Sequence, residues 1–330
     1  MGNDRLDVVG IGNAIVDVLA QASDSFIEEQ DLPKGSMTLI DMSRAESLYN
    51  AMGPGVEVSG GSCANTMAGL ASLGGRGGFI GKVRNDQLGG IFRHDIRATG
   101  IEFDAAAATM GPPTARCLIL VSPDAQRTMA TYLGISVELG PEDVDHDLIR
   151  RAKVLYLEGY LWDSPAAKQA FVEAAETARA AGAKVALTLS DPFCVDRHRE
   201  SFRELVDGHV DLLFANEAEI VSLYEAGSFE NAVQQVRGHC EIAALTRSEK
   251  GSVILADGEA HQVEAIRIGD LVDTTGAGDL YAAGFLYGYT QGRDLPTCGR
   301  LASLAAGEAV SHLGPRPSRS LAELVRSHGL

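Results

Sequence analysis

Two hydrophobic patterns alternate along the chain. Short apolar runs rich in β-branched residues predict buried strands, and longer alanine-rich stretches with helical spacing of apolar positions predict amphipathic helices. The predicted strands are 7–11, 77–81, 153–157, 184–189, 210–214, 242–246 and 252–255. The predicted helices are 62–73, 86–98, 164–181, 197–206, 217–225, 229–237, 277–291 and 297–312. The alternation from about residue 150 onward predicts an α/β fold with a mainly parallel sheet flanked by helices on both faces.

Two segments do not follow this alternation. Residues 13–58 and 101–135 mix short β-like runs with turn residues. No linker, repeat or low-complexity tract separates them from the rest, so we expect one domain over residues 1–330. Near the end, Gly314-Pro315-Arg316-Pro317 predicts the stop of the last long helix, and a short helix is expected from Ser320.

Composition and charge narrow the classes of function. The chain of 330 residues is 45% hydrophobic and 22% charged, as is typical of a globular protein. Its formal net charge of −17 disfavours binding to nucleic acid or to an anionic membrane surface. The five cysteines show no CxxC pair or zinc-like spacing, and Asp17 interrupts the apolar stretch that a signal peptide would need. We therefore expect reduced thiols and a cytoplasmic location.

The strongest candidate for chemistry is Asp273-Thr274-Thr275-Gly276-Ala277-Gly278-Asp279, which runs directly into an apolar helical pattern. A glycine-bearing turn at a helix N-terminus leaves backbone N–H groups unpaired beside the positive end of the helix dipole, and this favours phosphate. Asp279 has two interpretations. It is either a helix-stabilising acid of the first turn, or a base that accepts a proton from an attacking hydroxyl during phosphoryl transfer.

A second glycine pair, Gly60-Gly61, leads into the helix that carries Asn65. Glycines let a backbone approach a ligand closely, although a simple glycine-rich helix entry is the alternative. The segment 10–15 is similar to the dinucleotide fingerprint GxGxxG, but Ile15 stands in place of its third glycine. This substitution disfavours a nicotinamide dehydrogenase. The absence of GxSxG and GxxxxGK[ST] motifs disfavours serine hydrolases and Walker-type NTPases.

Three motifs together resemble the PfkB, or ribokinase-like, family of sugar and nucleoside kinases. They are DTTGAGD at 273–279, GGSCANTMA at 60–68 and NEAE at 216–219, and their order and separation fit the family across nearly the whole chain. The resemblance implies a ribokinase-like fold and an ATP-dependent kinase with an alcohol-group acceptor. It also implies a small β-sheet lid formed by segments 13–58 and 101–135. The implied cofactors are ATP and Mg²⁺, with a monovalent cation such as K⁺ left open.

The same resemblance assigns roles to individual residues. Asp279 becomes the catalytic base. The anion hole is assigned to Gly276, Ala277 and Gly278. Substrate binding is assigned to Asn13, Asp17, Gly60, Gly61 and Asn65. Binding of the nucleotide and its phosphates is assigned to Asn216, Thr246, Gly251 and Arg127, and the hydrated Mg²⁺ to Glu219 through water.

Some of these assignments compete with simpler interpretations. Glu219 also fits the third position of a helix capping box, and Arg127 also fits a surface charge in a hairpin. Asn13 could merely make a turn, with Asp17 solvated. The loop 246–251 departs from the family's pattern because Ser248 stands where the first glycine is expected.

The middle of the chain narrows the acceptor. Leu189-Ser190-Asp191-Pro192-Phe193 and the segment 210–219 resemble the adenosine kinase branch of the family, as does 35–41 in the lid. Glu158, however, lies where ribokinases carry an acid in the sugar pocket. We therefore expect a nucleoside, adenosine foremost, with a free sugar such as ribose or fructose as the alternative. A monomer or a homodimer is expected. A non-catalytic sensor is disfavoured because Asp279 and the glycine turn are intact.

Overall fold

A computed structural model describes residues 5–124 and 126–330 of the protein. The strands are β1 (Leu6–Ile11), β2 (Ile15–Gln21), β3 (Met37–Leu39), β4 (Gly55–Gly60), β5 (Gly77–Ile80), β6 (Ala115–Val121), β7 (Arg127–Tyr132), β8 (Ala152–Glu158), β9 (Lys184–Thr188), β10 (Leu212–Asn216), β11 (Ile242–Thr246), β12 (Ser252–Ala256) and β13 (Glu259–Val263). The helices are α1 (Asp24–Glu29), α2 (Met42–Ala51), α3 (Ser62–Ser72), α4 (Gln87–Ala98), α5 (His146–Arg150), α6 (Pro165–Ala180), α7 (Pro192–His209), α8 (Glu217–Tyr224), α9 (Phe229–Gln235), α10 (Ala277–Thr290), α11 (Leu295–Ala309) and α12 (Leu321–Ser327).

Eight strands form the larger sheet, in the order β13-β12-β11-β10-β9-β8-β1-β5. The six strands from β11 to β5 pair in parallel, whereas β12 and β13 add an antiparallel edge. The side chains of α5 to α9 cover one face, and those of α3, α4, α10 and α11 cover the other. The predicted α/β fold with a mainly parallel, helix-flanked sheet is therefore confirmed. Within the described residues, no helix is long and apolar enough to span a membrane.

One helix start and one missed strand differ from the prediction for identifiable reasons. Helix α7 begins at Pro192 rather than at 197, because Asp191 caps it and its backbone is kinked at His198, which hides the helical periodicity. Strand β13 was not predicted, because residues 259–263 are mostly polar and form an edge strand with little burial.

Five strands form a second sheet, in the order β3-β7-β6-β2-β4. All of them come from the two segments that broke the alternation, apart from the end of β4 at residues 59 and 60. Because side chains alternate along a strand, one face packs on the helices through residues such as Val16, Val18 and Leu118. The opposite face carries Asp17 among the apolar side chains of Ile15, Leu19, Cys117, Ile119 and Met129.

Helices α10 and α11 pack very closely, and this contact fixes the helix that follows the glycine turn. A Cβ atom added to Gly284 of α10 would lie 2.6 Å from the carbonyl oxygen of Leu301 and 2.7 Å from the Cα atom of Ala302. Only glycine fits this crossing without moving one helix.

We expect Gly284→Ala to lower the free energy of unfolding by about 1–3 kcal/mol, because overpacking outweighs alanine's better helix propensity. Gly90→Ala in α4 is the matched control, since a Cβ atom there meets nothing within 4 Å. That control should raise the free energy of unfolding by up to about 1 kcal/mol. Chemical denaturation measures both, and equal stabilities of the two variants would contradict the packing argument.

Candidate active site

The glycine turn at the start of α10 is open to an anion. Gly276 is the N-cap residue with φ +78°, and no side chain caps the helix. A Cβ atom on Gly276 would lie 2.5 Å from the Cα atom of Pro315, whereas one on Gly278 would meet nothing within 4 Å. The turn therefore needs glycine at 276 for its conformation and its packing. The Ala277 N–H donates to the Thr274 carbonyl oxygen over 3.2 Å, whereas the N–H groups of Gly278 and Asp279 have no hydrogen-bond partner within residues 5–124 and 126–330, as an anion site requires.

Asp279 is the third residue of α10, and two side chains from α3 hold its carboxylate. Ser62 Oγ donates to Oδ1 over 2.6 Å, and Asn65 Nδ2 donates to Oδ2 over 3.1 Å. Burial raises the pKa of Asp279, and these two hydrogen bonds oppose the rise. The structure thus brings the predicted base beside the predicted anion hole and beside Asn65.

The glycine pair before α3 is required by the protein's own packing. A Cβ atom on Gly60 would lie 2.4 Å from the Asp17 carboxylate, and one on Gly61, whose φ is +97°, would lie 2.3 Å from the carbonyl oxygen of Asn13. The close backbone approach that the sequence predicted for a ligand is therefore made to the protein itself, at Asp17 in β2 and at Asn13 just before this strand. Asp17 is brought beside α3 as a result.

Asn13 lies at the expected place but is already engaged. Its Nδ2 donates to Glu158 Oε1 over 2.7 Å, and its Oδ1 accepts from Ser136 Oγ over 2.9 Å. Glu158 Oε2 accepts from the backbone N–H of Cys63 over 2.8 Å, and burial raises the pKa of Glu158 to about 7. Glu158 thus fastens the end of β1 to the start of α3. A role for Asn13 in substrate binding stays a prediction.

Asp17 is buried between two arginines. Burial raises its pKa to about 6, opposed by the positive charges of Arg316 and Arg127 and reinforced by the negative charge of Asp279. Within the described residues, no hydrogen bond reaches its carboxylate. An acidic group in this state can accept hydrogen bonds from a ligand's hydroxyl groups.

Arg127 reaches the glycine motif, and its contact with the phosphates of the nucleotide stays a prediction. Its Nε lies 3.1 Å from Asp273 Oδ2, and its side chain is 4% exposed. Both terminal nitrogens lack a hydrogen-bond partner within residues 5–124 and 126–330. Buried donors without acceptors are costly, so the guanidinium is suited to an anion. The hairpin-surface interpretation does not fit this burial.

Of the other predicted residues, Asn216 and Thr246 end β10 and β11 and pair in register, whereas Glu219 lies in α8 and Gly251 precedes β12. Asn216 and Glu219 form a full capping box, with Glu219 Oε2 accepting from the Asn216 N–H over 2.9 Å and Oε1 accepting from its Nδ2 over 2.6 Å. Gly251 has φ +83°, and a Cβ atom there would lie 2.1 Å from the Val263 carbonyl oxygen. These residues are neighbours of one another, and no hydrogen bond or ion pair among the described residues joins them to Asp279.

Sequence reasoning missed several residues that build the site. Ser62 holds the base, and its only signal was its place after Gly60-Gly61. Arg316 lies in the segment interpreted solely as a helix stop, yet its Nε lies 3.4 Å from Asn65 Oδ1. It also pairs with Asp95. Contacts between segments this distant leave no periodic pattern in the sequence.

Comparison with known proteins decides the family. The model of the pfkB family carbohydrate kinases matches residues 35–321. The chain belongs to this family. Its fold is accordingly the ribokinase-like fold, and its activity is that of a kinase with ATP as phosphate donor.

Individual relatives of this PfkB-family kinase have different names. The crystal structure of a probable sugar kinase from Rhizobium etli CFN 42 is 52% identical, with a TM-score of 0.91 over 98% of this chain and 99% of that one. The structure of adenosine kinase from Sinorhizobium meliloti is 53% identical, with a TM-score of 0.90 over the same shares. The 5-dehydro-2-deoxygluconokinase of Bacillus subtilis (strain 168) is 27% identical over 92% of this chain and 90% of its own length.

The raised pKa of Asp17 predicts a pH-dependent stability. The folded protein keeps this proton up to a pH of about 6, whereas the unfolded chain releases it near pH 3.8. The contribution of Asp17 to the free energy of unfolding is therefore fully present below pH 3.8. It is lost as the pH rises through about 6. Replacing Asp17 by Asn should remove this loss, about 2 kcal/mol between pH 4 and pH 7.

Denaturant unfolding of wild type and Asp17→Asn at both pH values measures the difference. Asp104→Asn is the control, because that carboxylate is largely exposed. A stability difference between Asp17→Asn and wild type that does not change with pH would contradict the electrostatic account.

Proposed function

We propose that this PfkB-family kinase transfers the γ-phosphoryl group of ATP to the 5′-hydroxyl of a nucleoside, adenosine foremost. The observation that carries the choice of acceptor is the face of the second sheet. It presents the buried carboxylate of Asp17 and then continues as an apolar surface.

The two parts of this face match the two parts of a nucleoside. Asp17 and Asn65 supply oxygen acceptors and an amide donor for a ribose diol. The apolar part, made of Ile15, Leu19, Cys117, Ile119 and Met129, offers contact for a nucleobase. A free sugar has hydroxyl groups all round and would leave that surface without a partner.

A free sugar is the second candidate, because two of the relatives described above are named a 5-dehydro-2-deoxygluconokinase and a probable sugar kinase. The sequence argument for it rested on Glu158. That carboxylate is 1% exposed and is used by Asn13 and Cys63. Its burial favours the nucleoside over the sugar.

The chemistry follows from the placement of the carboxylate and the turn. Asp279 accepts the proton of the 5′-hydroxyl as that oxygen attacks the γ-phosphorus. The N–H groups of Gly276 and Gly278 receive the charge that develops on the phosphoryl oxygens, since the Ala277 N–H between them already donates to Thr274. Arg127 adds a buried positive charge. The segments 13–58 and 101–135 act as a lid that excludes water, which would otherwise compete as acceptor.

The predicted Mg²⁺ residue, Glu219, is suited to contact the ion through water but not to bind it directly. Both oxygens of Glu219 already accept hydrogen bonds, and burial raises the pKa of Glu219 to about 7. Within the described residues no group of three or more His, Cys, Asp or Glu side chains could form a metal site. An ion held mostly by phosphates and water, with Glu219 contacting it through water, suits this arrangement. When bound, the ion neutralises phosphate charge.

Replacing Asp279 by Asn should lower kcat by at least ~100-fold with little change in nucleotide affinity, because shape is kept and the proton acceptor is lost. Steady-state turnover and equilibrium ATP binding measure the two effects. Asp24→Asn, on the exposed start of α1, is the control. Near-normal turnover of Asp279→Asn would remove Asp279 from the role of base.

A substrate panel tests the acceptor. Adenosine should be phosphorylated faster than inosine, guanosine, ribose or fructose. The 2′- and 3′-deoxyadenosines should lose about 1–3 kcal/mol of transition-state binding per missing hydroxyl, because Asp17 and Asn65 would be left unpaired. ATP consumption with each compound gives kcat/KM. If ribose or fructose outcompetes adenosine, the free-sugar kinase takes the place of this proposal.

A further inference from the structure

The segment 314–316 contacts the candidate site from the C-terminal side. The Gly314 N–H donates to Asp273 Oδ2 over 3.0 Å. Pro315 packs against Gly276 so closely that a Cβ atom there would lie 2.5 Å away. Arg316 extends further, to Asn65. Its guanidinium is the part of this segment that carries charge into the site.

Arg316 makes two directed contacts. Its Nε donates to Asn65 Oδ1 over 3.4 Å, and its Nη1 donates to Asp95 Oδ2 over 3.2 Å. Asp95 Oδ2 also accepts from the N–H and Oγ of Ser59, over 2.7 and 2.5 Å. Arg316 therefore links α3, α4 and the edge strand β4 of the second sheet. Its Nη2 is buried and has no hydrogen-bond partner among the described residues.

We propose that Arg316 is a positioning residue for phosphoryl transfer, which orients the Asn65 amide toward Asp279 and places a buried positive charge near Asp17. The inference rests on the proposed role of Asp279 as the base. It adds a residue outside the three motifs on which the family resemblance was based.

The orientation follows from the donors and acceptors of an amide. Arg316 has only donors, so the atom of Asn65 that faces it must be the carbonyl oxygen. The Nδ2 group is then directed at Asp279 Oδ2. This arrangement leaves the other lone pairs of Asp279 free for the substrate proton.

The charge argument follows from the groups that face the two carboxylates. Asp17 faces Arg316, Arg127, Asp279 and the Cys117 thiol. Asp279 faces Ser62 and Asn65 at hydrogen-bond distance, and its charge reaches Cys63, Tyr156, Glu158 and Tyr160. After burial, Arg316 has the largest effect on Asp17 and acts to ionise it. Each arginine also pairs with a second carboxylate, Arg127 with Asp273 and Arg316 with Asp95.

The test compares the pH dependence of kcat/KM for wild type, Arg316→Gln and Arg316→Lys, with ATP and the best acceptor of the substrate panel. At low pH kcat/KM falls, and we call this part of the profile the acid limb. Arg316→Gln should move the acid limb upward by about one pH unit, since an opposite charge nearby shifts the pKa of a carboxylate by at least that much. Its rate should fall at least ~10-fold near pH 6 and recover toward pH 8. Arg316→Lys should keep the wild-type acid limb, because the positive charge stays. Its kcat should be lower, because lysine lacks the planar guanidinium with its several donors.

Arg319→Gln is the matched control, because Arg319 lies on the same tail, half exposed, and faces Glu308. It should match wild type. A lower rate in Arg316→Gln with an unmoved acid limb would reduce Arg316 to a structural role and overturn the inference. If Arg316→Gln does not fold, an acid limb in Arg316→Lys that differs from wild type overturns it equally. Asp279→Asn run in parallel separates the two proposals. Its activity would refute the base, whereas an inactive Asp279→Asn with an unmoved Arg316→Gln limb refutes only this inference.

Discussion

The hydrogen bonds from Ser62 and Asn65 to Asp279 join the starts of two helices, and the bonded residues lie 217 and 214 positions apart in sequence. Both helices begin after a glycine with positive φ, and they cross where a Cβ atom on Gly69 would lie 2.8 Å from the Cβ of Ala283. Two helix N-termini therefore face one carboxylate. The positive ends of the helix dipoles offset part of the cost of burying this carboxylate. The glycine turn, strand β2 with Asp17 and the C-terminal segment 314–316 are arranged around this junction.

The sequence predicted the elements better than the contacts between them. Buried parallel strands such as β8 and β10 appear as apolar runs, because both faces of the sheet are covered. The edge strand β13 shows no apolar run, because an edge strand needs little burial and its residues are mostly polar. Asp279 was found because a glycine turn followed by a helix is a local signal. Arg316 was not, because its partners lie in segments that only the tertiary fold brings close.

The functional motifs also serve the fold, and sequence could not separate the two uses. The spacing of Asn216 and Glu219 fits a capping box as well as a metal-associated pair, and the side chains do form the cap. Asn13 is committed to Glu158 and Ser136 in the same way. A polar side chain with all its partners inside the protein looks, in sequence, the same as one waiting for a ligand.

The close contact of Gly61 with the carbonyl oxygen of Asn13 has a mechanical consequence. The chain enters the second sheet at Asn13 and leaves it at Gly61, so two of its crossings lie side by side. Paired crossings of this kind would serve as a common pivot if the second sheet moved. Any swing of the sheet displaces Asp17 and Gly60 little, since they are next to the axis, and displaces Met37 and Leu39 on the far strand β3 most. Asp17 and Gly60, beside the crossings, would thus keep their geometry relative to α3, while the far edge of the sheet would move.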